Sequence, residues 1–293
     1  MALFDTDFLS RLEYLSIVSK RVFSGRLIAQ RRARQSGSGI EFSDHREYTI
    51  GDDFRYLDWH VYARHEELLL KRFHEEQDLH VYVLVDCSRS MGFGRPVSKF
   101  DQARRLAAAL AYIALADLDR VSVLGFADGL VRELPMMRGK NRALSLLNFL
   151  DSLETRPGTT NLLAASRRLV ERNSRRGPAI VLSDLYDPAG YRQGLDLLRY
   201  HRFEPAVIHV YDPGEQEPDV LGDVEFIDAE SDEGRKVTVT ESSLARYRRV
   251  YGRFVEGLVG YCRGHGLSLT RAADDVAFDT VVLRMMRATE VVR

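Results

Sequence analysis

The chain has 293 residues, 45% of them hydrophobic and 29% charged, an ordinary globular composition that excludes a disordered protein. It carries 42 Lys and Arg residues against 43 Asp and Glu, a formal net charge of -1. That balance excludes a surface built throughout for nucleic acid or an anionic membrane. Its two cysteines, Cys87 and Cys262, cannot form a disulfide framework, and the N-terminus turns acidic at Asp5 where a secretory leader would run basic and then apolar. The expectation is a cytoplasmic protein. The longest apolar run, Ala107 to Leu118, is too short to span a bilayer and contains Asp117, so no membrane insertion is expected.

In chain order, Phe8 to Val22 repeats apolar residues at helical spacing. Tyr14 to Ile40 contains no acidic residue but six basic ones, Lys20, Arg21, Arg26, Arg31, Arg32 and Arg34. This tract reads either as a solvated helix face or as a contact for an acidic surface. Ile40 to Phe73 is mixed and polar and reads as short strands and loops, ending in a strand-like Leu68 to Phe73. After Gln77 the texture changes. Leu79 to Val85 is β-branched and almost wholly apolar, the pattern of a strand buried on both faces. Lys99 to Leu118 then reads as a helix, Val121 to Phe126 as a strand, and Arg142 to Leu153 and Leu162 to Asn173 as helices. Ala179 to Leu182 follows as a strand, Tyr191 to His201 as a helix, and Ala206 to Val210 as a strand. Asp212 to Glu233 is strongly acidic, and Val224 to Ile227 and Arg235 to Val239 can pair there as a hairpin. Glu241 to Arg263 reads as a helix capped by Thr240, followed by a strand at Gly266 to Thr270 and a helix at Val276 to Arg287. Strands alternating with helices imply right-handed crossovers and a mostly parallel sheet with helices on both faces.

In such a sheet ligands bind just beyond the carboxyl ends of the strands. Asp86-Cys87-Ser88-Arg89-Ser90 stands at such an end. The D-x-S-x-S spacing brings one carboxylate and two hydroxyls to one point, a donor set suited to a hard divalent cation such as Mg2+ or Mn2+. Thr160, in the loop Gly158-Thr159-Thr160-Asn161, and Asp184, after the strand ending at Leu182, add a hydroxyl and a carboxylate. Asp86, Ser88, Ser90, Thr160 and Asp184 are therefore the candidate metal ligands. Alone, D-x-S-x-S is equally a plain turn; three oxygen-bearing loops, each in the right place on a doubly wound pattern, make the metal reading.

These five residues resemble the metal-ion-dependent adhesion site of von Willebrand factor A-like domains. The resemblance implies serine, threonine and aspartate ligation and an open coordination position filled by a partner's carboxylate. It also implies regulated binding without turnover. The preceding segment, Glu41-Phe42-x-x-x-Arg46-Glu47-Tyr48-x-x-Gly51-Asp52-Asp53-x-Arg55-x-x-Asp58-Trp59 with Ala63-Arg64 and Lys71-Arg72-Phe73, is similar to the signature of the bacterial family catalogued as domain of unknown function 58. The likeness runs from about Phe8 to Arg287. It implies an adaptor for a MoxR-type AAA+ ATPase in the maturation or assembly of a client protein. The expected fold is thus α/β, a von Willebrand factor A-like doubly wound sheet over residues 77–293. Residues 1–76 form an N-terminal helix and short-strand extension packed on it.

Within the signature, Arg46, Arg55, Arg64, Asp52, Asp53 and Asp58 read either as an Arg–carboxylate network that pins the segment onto the main domain, the favoured reading, or as a docking surface for a partner, with Trp59 as a packing anchor. Cys87 reads as a small buried strand-end residue. No G-x-x-x-x-G-K-[ST], H-E-x-x-H or G-x-S-x-G motif occurs, and no nucleic-acid-binding signature is present. The remaining enzyme alternative is a Mg2+-dependent phosphatase or phosphotransferase using Asp86 as nucleophile. Such sites place a second aspartate two residues on as general acid, and here that residue is Ser88.

Overall fold

A computed structural model describes residues 3–23, 36–37, 41–74, 79–94, 96–227 and 234–291. They divide into two compact units, Val18–Asp78 and Met1–Ile17 with Leu79–Arg293, and helix α1 (Thr6–Phe23) forms where the apolar spacing of Phe8 to Val22 predicts it.

In the smaller unit, β1 (Ser36–Gly37) and β2 (Glu41–Glu47) flank β3 (Leu69–His74) in an antiparallel sheet. A single 3-10 turn at Phe54–Tyr56 precedes helix α2 (Trp59–His65), where strands and loops were expected. Asp58 is the reason: its carboxylate accepts from the backbone of His60 and Val61 and so caps a helix of seven residues, too short to show an apolar period. The same carboxylate meets His45 Nε2 at 2.9 Å and Lys71 Nζ at 3.5 Å, and these contacts hold its pKa down at about 2. The Arg–carboxylate pairs are local: Arg46 with Asp52, and Arg55 with Asp53. Trp59 is 59% exposed, with an edge-on Tyr62 ring contact among the described residues, and does not act as a packing anchor. Of the basic tract, Arg26, Arg31, Arg32 and Arg34 lie outside the described residues.

The larger unit is built on a six-stranded sheet of β4 (His80–Asp86), β5 (Arg120–Phe126), β6 (Leu130–Arg138), β7 (Pro178–Ser183), β8 (Glu204–Tyr211) and β11 (Ser268–Ala273). The spatial order is β11-β8-β7-β4-β5-β6, with every pairing parallel except β5 with β6. The chain builds outward from β4 to one edge, returns to β7 on its other side, and continues to the opposite edge. The order therefore reverses between β4 and β7, which opens a crevice beyond their carboxyl ends. β4 owes its central place to composition, because Val81 to Asp86 are all buried.

Helices lie on both faces. Tyr82 and Leu84 join a core with Leu162, Leu169, Leu195, Leu198 and Leu258, from α5 (Leu162–Arg172), α6 (Tyr191–Tyr200) and α7 (Glu241–Gly264). Val81, Val83 and Val85 point the opposite way by the alternation of a strand. Helix α3 (Lys99–Ala116) packs on β4 and β5, and also against α4 (Ala143–Asp151) and α8 (Phe278–Val291). Ser98 caps α3 by accepting from Asp101 N, and Thr240 caps α7 within a capping box, as its sequence predicted.

β6 was not foreseen. Pro135 and the two register shifts against β5 break its alternation, which is tolerated because it is an antiparallel edge strand. The last strand runs Ser268–Ala273, longer at its far end than expected, because Ala272 and Ala273 are buried. In the acidic stretch, β9 (Gly222–Ile227) and β10 (Gly234–Val239) do pair as an antiparallel hairpin.

Candidate functional site

Asp86 is the last residue of β4 and is fully buried. The chain turns immediately after it, with Ser88 N donating to Asp86 Oδ1 at 2.9 Å. The turn is anchored from outside, since Cys87 N donates to Phe126 O and Arg156 N donates to Cys87 O. A short 3-10 turn, Arg89–Gly92, then brings Ser90 Oγ within 3.1 Å of Ser88 Oγ. The D-x-S-x-S spacing thus gathers its oxygens as the sequence reasoning required.

Two other loops complete the cluster, one before α5 and one at the end of β7. The loop before α5 is tied down by Asn161, whose N donates to Ala127 O and whose side chain caps α5 at Ala164 N. This places Thr160 Oγ1 to donate to Asp86 Oδ2 at 3.2 Å. From the end of β7, Ser183 Oγ donates to the same oxygen at 2.6 Å. Asp184 follows, with Oδ1 accepting from Tyr186 N at 3.1 Å. The structure thus links Asp86, Ser88, Ser90 and Thr160 by hydrogen bonds. It sets Asp184 close enough for its charge to act on Asp86. Ser88, Thr160, Ser183 and Asp184 are buried, whereas Ser90 is half-buried.

Burial first, and the Asp184 carboxylate second, push the Asp86 pKa up to about 7. Burial likewise pushes the Cys87 thiol up to about 12, so this residue is the inert strand-end cysteine expected, not a nucleophile.

Sequence reasoning missed three participants. Lys99, the first residue of α3, is fully buried, and its Nζ donates to Asp184 Oδ2 at 2.8 Å and to Glu215 Oε1 at 2.6 Å. Glu215 lies in a single helical turn, Pro213–Gln216, beyond β8, and Tyr186 OH donates to its Oε2 at 3.3 Å. The Lys99 ammonium also lies 5.0 Å from the Tyr186 ring centroid. Ser183 is the third. A signal existed for Lys99, because a cation in the first turn of a helix opposes the macrodipole and calls for a nearby anion. No local pattern reveals Glu215, which is 116 positions away from Lys99 in the chain.

The donor chemistry fits a hard divalent cation. Three hydroxyls and two carboxylates converge, and the buried charges do not cancel: Asp184 and Glu215 share the one ammonium of Lys99, and Asp86 adds a further carboxylate on which the Asp184 charge acts. Fully ionised, the cluster is two charges negative in a region screened from water, and a divalent cation or protons must balance it. Among the described residues, no group of three or more His, Cys, Asp or Glu side chains is placed to hold a metal, so any ion here depends on the hydroxyls.

The sequence profile of a family described as "Protein of unknown function DUF58" matches residues 44–254, more than half of the chain. The chain belongs to the DUF58 family. This DUF58 protein is 26% identical over 274 residues to the uncharacterized protein Rv1480 of Mycobacterium tuberculosis, covering 92% of this chain and 86% of that one. Its identity and coverage with the uncharacterized protein Mb1516 of Mycobacterium bovis are the same. Among solved structures it is similar to a conserved hypothetical protein, BatB, from Bacteroides thetaiotaomicron. That likeness has 15% identity and a TM-score of 0.45, and covers 72% of this chain and 98% of that one. An aerotolerance-related membrane protein from Bacteroides fragilis is similar at 16% identity and a TM-score of 0.44, covering 72% of this chain and 99% of that one. Among the described residues of the DUF58 chain, no helix is long and apolar enough to cross a membrane.

Proposed function

We propose that this DUF58 protein is a non-enzymatic, divalent-metal-dependent protein-interaction module with a von Willebrand factor A-like domain. It acts in the cytoplasm as an adaptor for a MoxR-type AAA+ ATPase during maturation or assembly of a client protein. The observation that carries this reading is the convergence of Asp86, Ser88, Ser90, Thr160 and Asp184 at the crevice between β4 and β7. These five residues would hold Mg2+ or Mn2+. The mostly parallel six-stranded sheet with helices on both faces, reversing its order between β4 and β7, supports the same reading.

Bound there, the ion would supply an electrophilic point for a partner carboxylate. The chain's own residues do the rest. Ser183 and Thr160 orient the Asp86 carboxylate by donating to Oδ2, and the Ser88 amide holds Oδ1. Ser90, half-buried, sets the side from which a partner arrives. The phosphotransferase alternative is disfavoured by the same contacts. Both oxygens of Asp86 already accept hydrogen bonds, and the residue two positions on is Ser88, which holds no proton suited to general acid catalysis.

Calorimetric titration of Mg2+ and Mn2+ into the wild-type chain and Asp86→Ala, paired with capture of the ATPase with and without EDTA, tests the proposal. The expected result is that metal binding and capture are lost together in Asp86→Ala while the fold is retained. Capture that survives both Asp86→Ala and EDTA would place the interaction elsewhere.

A further inference from the structure

Lys99 occupies a position that the metal reading does not use. Its ammonium is wholly enclosed, and it bridges two carboxylates that belong to different strand ends, Asp184 after β7 and Glu215 after β8. One of the two, Asp184, is also a candidate metal ligand. The other has no part in the metal cluster but is built into the fold on all sides. Its backbone oxygen accepts from Tyr247 OH of α7 at 2.7 Å, its Oε2 accepts from Tyr186 OH, and the neighbouring Gln216 Oε1 accepts from Arg271 at 3.0 Å.

We infer that Lys99 is a resident cation that competes with the divalent ion for Asp184, with Glu215 as the alternative holder of its ammonium. The inference rests on the metal reading above and adds its regulation. Without metal, Lys99 pairs with Asp184, so that of the two carboxylates at the β4–β7 crevice only Asp86 stands without a cation. When a divalent ion engages Asp184, the ammonium is repelled and its contact with Glu215 strengthens. No proton or water need enter. The change is delivered to the turn Pro213–Gln216 and through Tyr247 to α7, so occupancy of the crevice alters the hold on a second element of the fold. A like-charged neighbour also keeps metal affinity moderate, which suits a site that exchanges its ion or its partner.

The test is a double-mutant cycle of Lys99→Met and Glu215→Gln, read by calorimetric titration of Mg2+ and Mn2+ alone. Lys99→Met is expected to bind at least tenfold more tightly than wild type, since Asp184 is released. Glu215→Gln is expected to bind several-fold more weakly, since Lys99 then leans wholly on Asp184. The double variant, which removes one charge of each sign and so keeps the buried balance if Lys99→Met alone fails to fold, is expected to match Lys99→Met within twofold. That non-additivity separates competition from a general field effect. Additive effects of the two substitutions, or no gain of affinity when Lys99 is replaced in either background, overturn the inference while leaving the metal site standing. Metal binding by the Lys99 variants but not by wild type supports it in its strongest form. Absence of binding in wild type and every variant removes the metal reading, and the inference falls with it.

Discussion

The charge on Asp86 is the most revealing quantity to perturb, and Asp86→Asn changes it while keeping the side chain's shape. The substituted amide can still accept from Ser88 N and can donate to Ser183 Oγ or Thr160 Oγ1, whose hydroxyls rotate to suit. What disappears is the ionisable group. Burial and Asp184 both penalise the charged form and push its folded-state pKa up to about 7, from an ordinary value of 3.8. A raised carboxyl pKa means that the folded protein binds the proton more tightly than the unfolded chain does. The penalty is therefore absent below pH 3.8, grows as pH rises, and is complete above about 7. A displacement of this size corresponds to about 4 kcal/mol at alkaline pH, and local relaxation brings the expected gain for Asp86→Asn to about 2–3 kcal/mol. Urea unfolding at pH 5 and pH 8 without metal should show the variant more stable at pH 8, with a smaller difference at pH 5. Added Mg2+ should stabilise the wild type and leave the variant unchanged. A variant that is destabilised equally at both pH values would refute the reasoning, since Asp86 would then contribute hydrogen bonds and shape but no buried charge.

Other outcomes follow from the same structure. Gly194→Ala places a Cβ 2.7 Å from Leu162 Cγ and 2.9 Å from its backbone carbon, where α5 and α6 meet. Overpacking of about 1–3 kcal/mol exceeds the helix-propensity gain of about 1 kcal/mol, so urea unfolding should show a net loss. His209 is buried, and desolvation, with Arg271 next, pushes its pKa down to about 4. The neutral ring is the stable form, so the penalty appears as pH falls below about 6.5 and is complete below about 4. His209→Phe, which preserves the ring contacts with Tyr211 and Phe254, should flatten the stability curve across that window. Burial raises Cys87 to about 12 and Cys262 to about 11, so neither thiol should react with Ellman's reagent at pH 8 in the native protein, whereas both should react in urea.

How far the sequence could be read depended on whether a feature was local. β4 and the D-x-S-x-S turn were legible because seven successive residues from His80 to Asp86 carry both the strand and its end. Thr160 and Asp184 were legible because each lies beside its own strand or helix boundary. Lys99 and Glu215 were not, because their meaning lies in a contact across the fold. The helix Trp59–His65 was hidden by its length, seven residues being too few to show a helical period, although Asp58 stood in the sequence as its cap. Trp59 was misjudged because an indole's size says nothing about which side of a short helix faces solvent.

β6 has a consequence beyond its place in the order. An open sheet edge is a template for pairing with a second chain. Pro135 removes one donor from that edge, and the two register shifts bend its backbone away from a flat ladder. Concentrated solutions of this protein are therefore guarded against edge-to-edge stacking on that side. Replacing Pro135 with a β-branched residue would trade that guard for a longer, stickier ribbon, with turbidity as the readout.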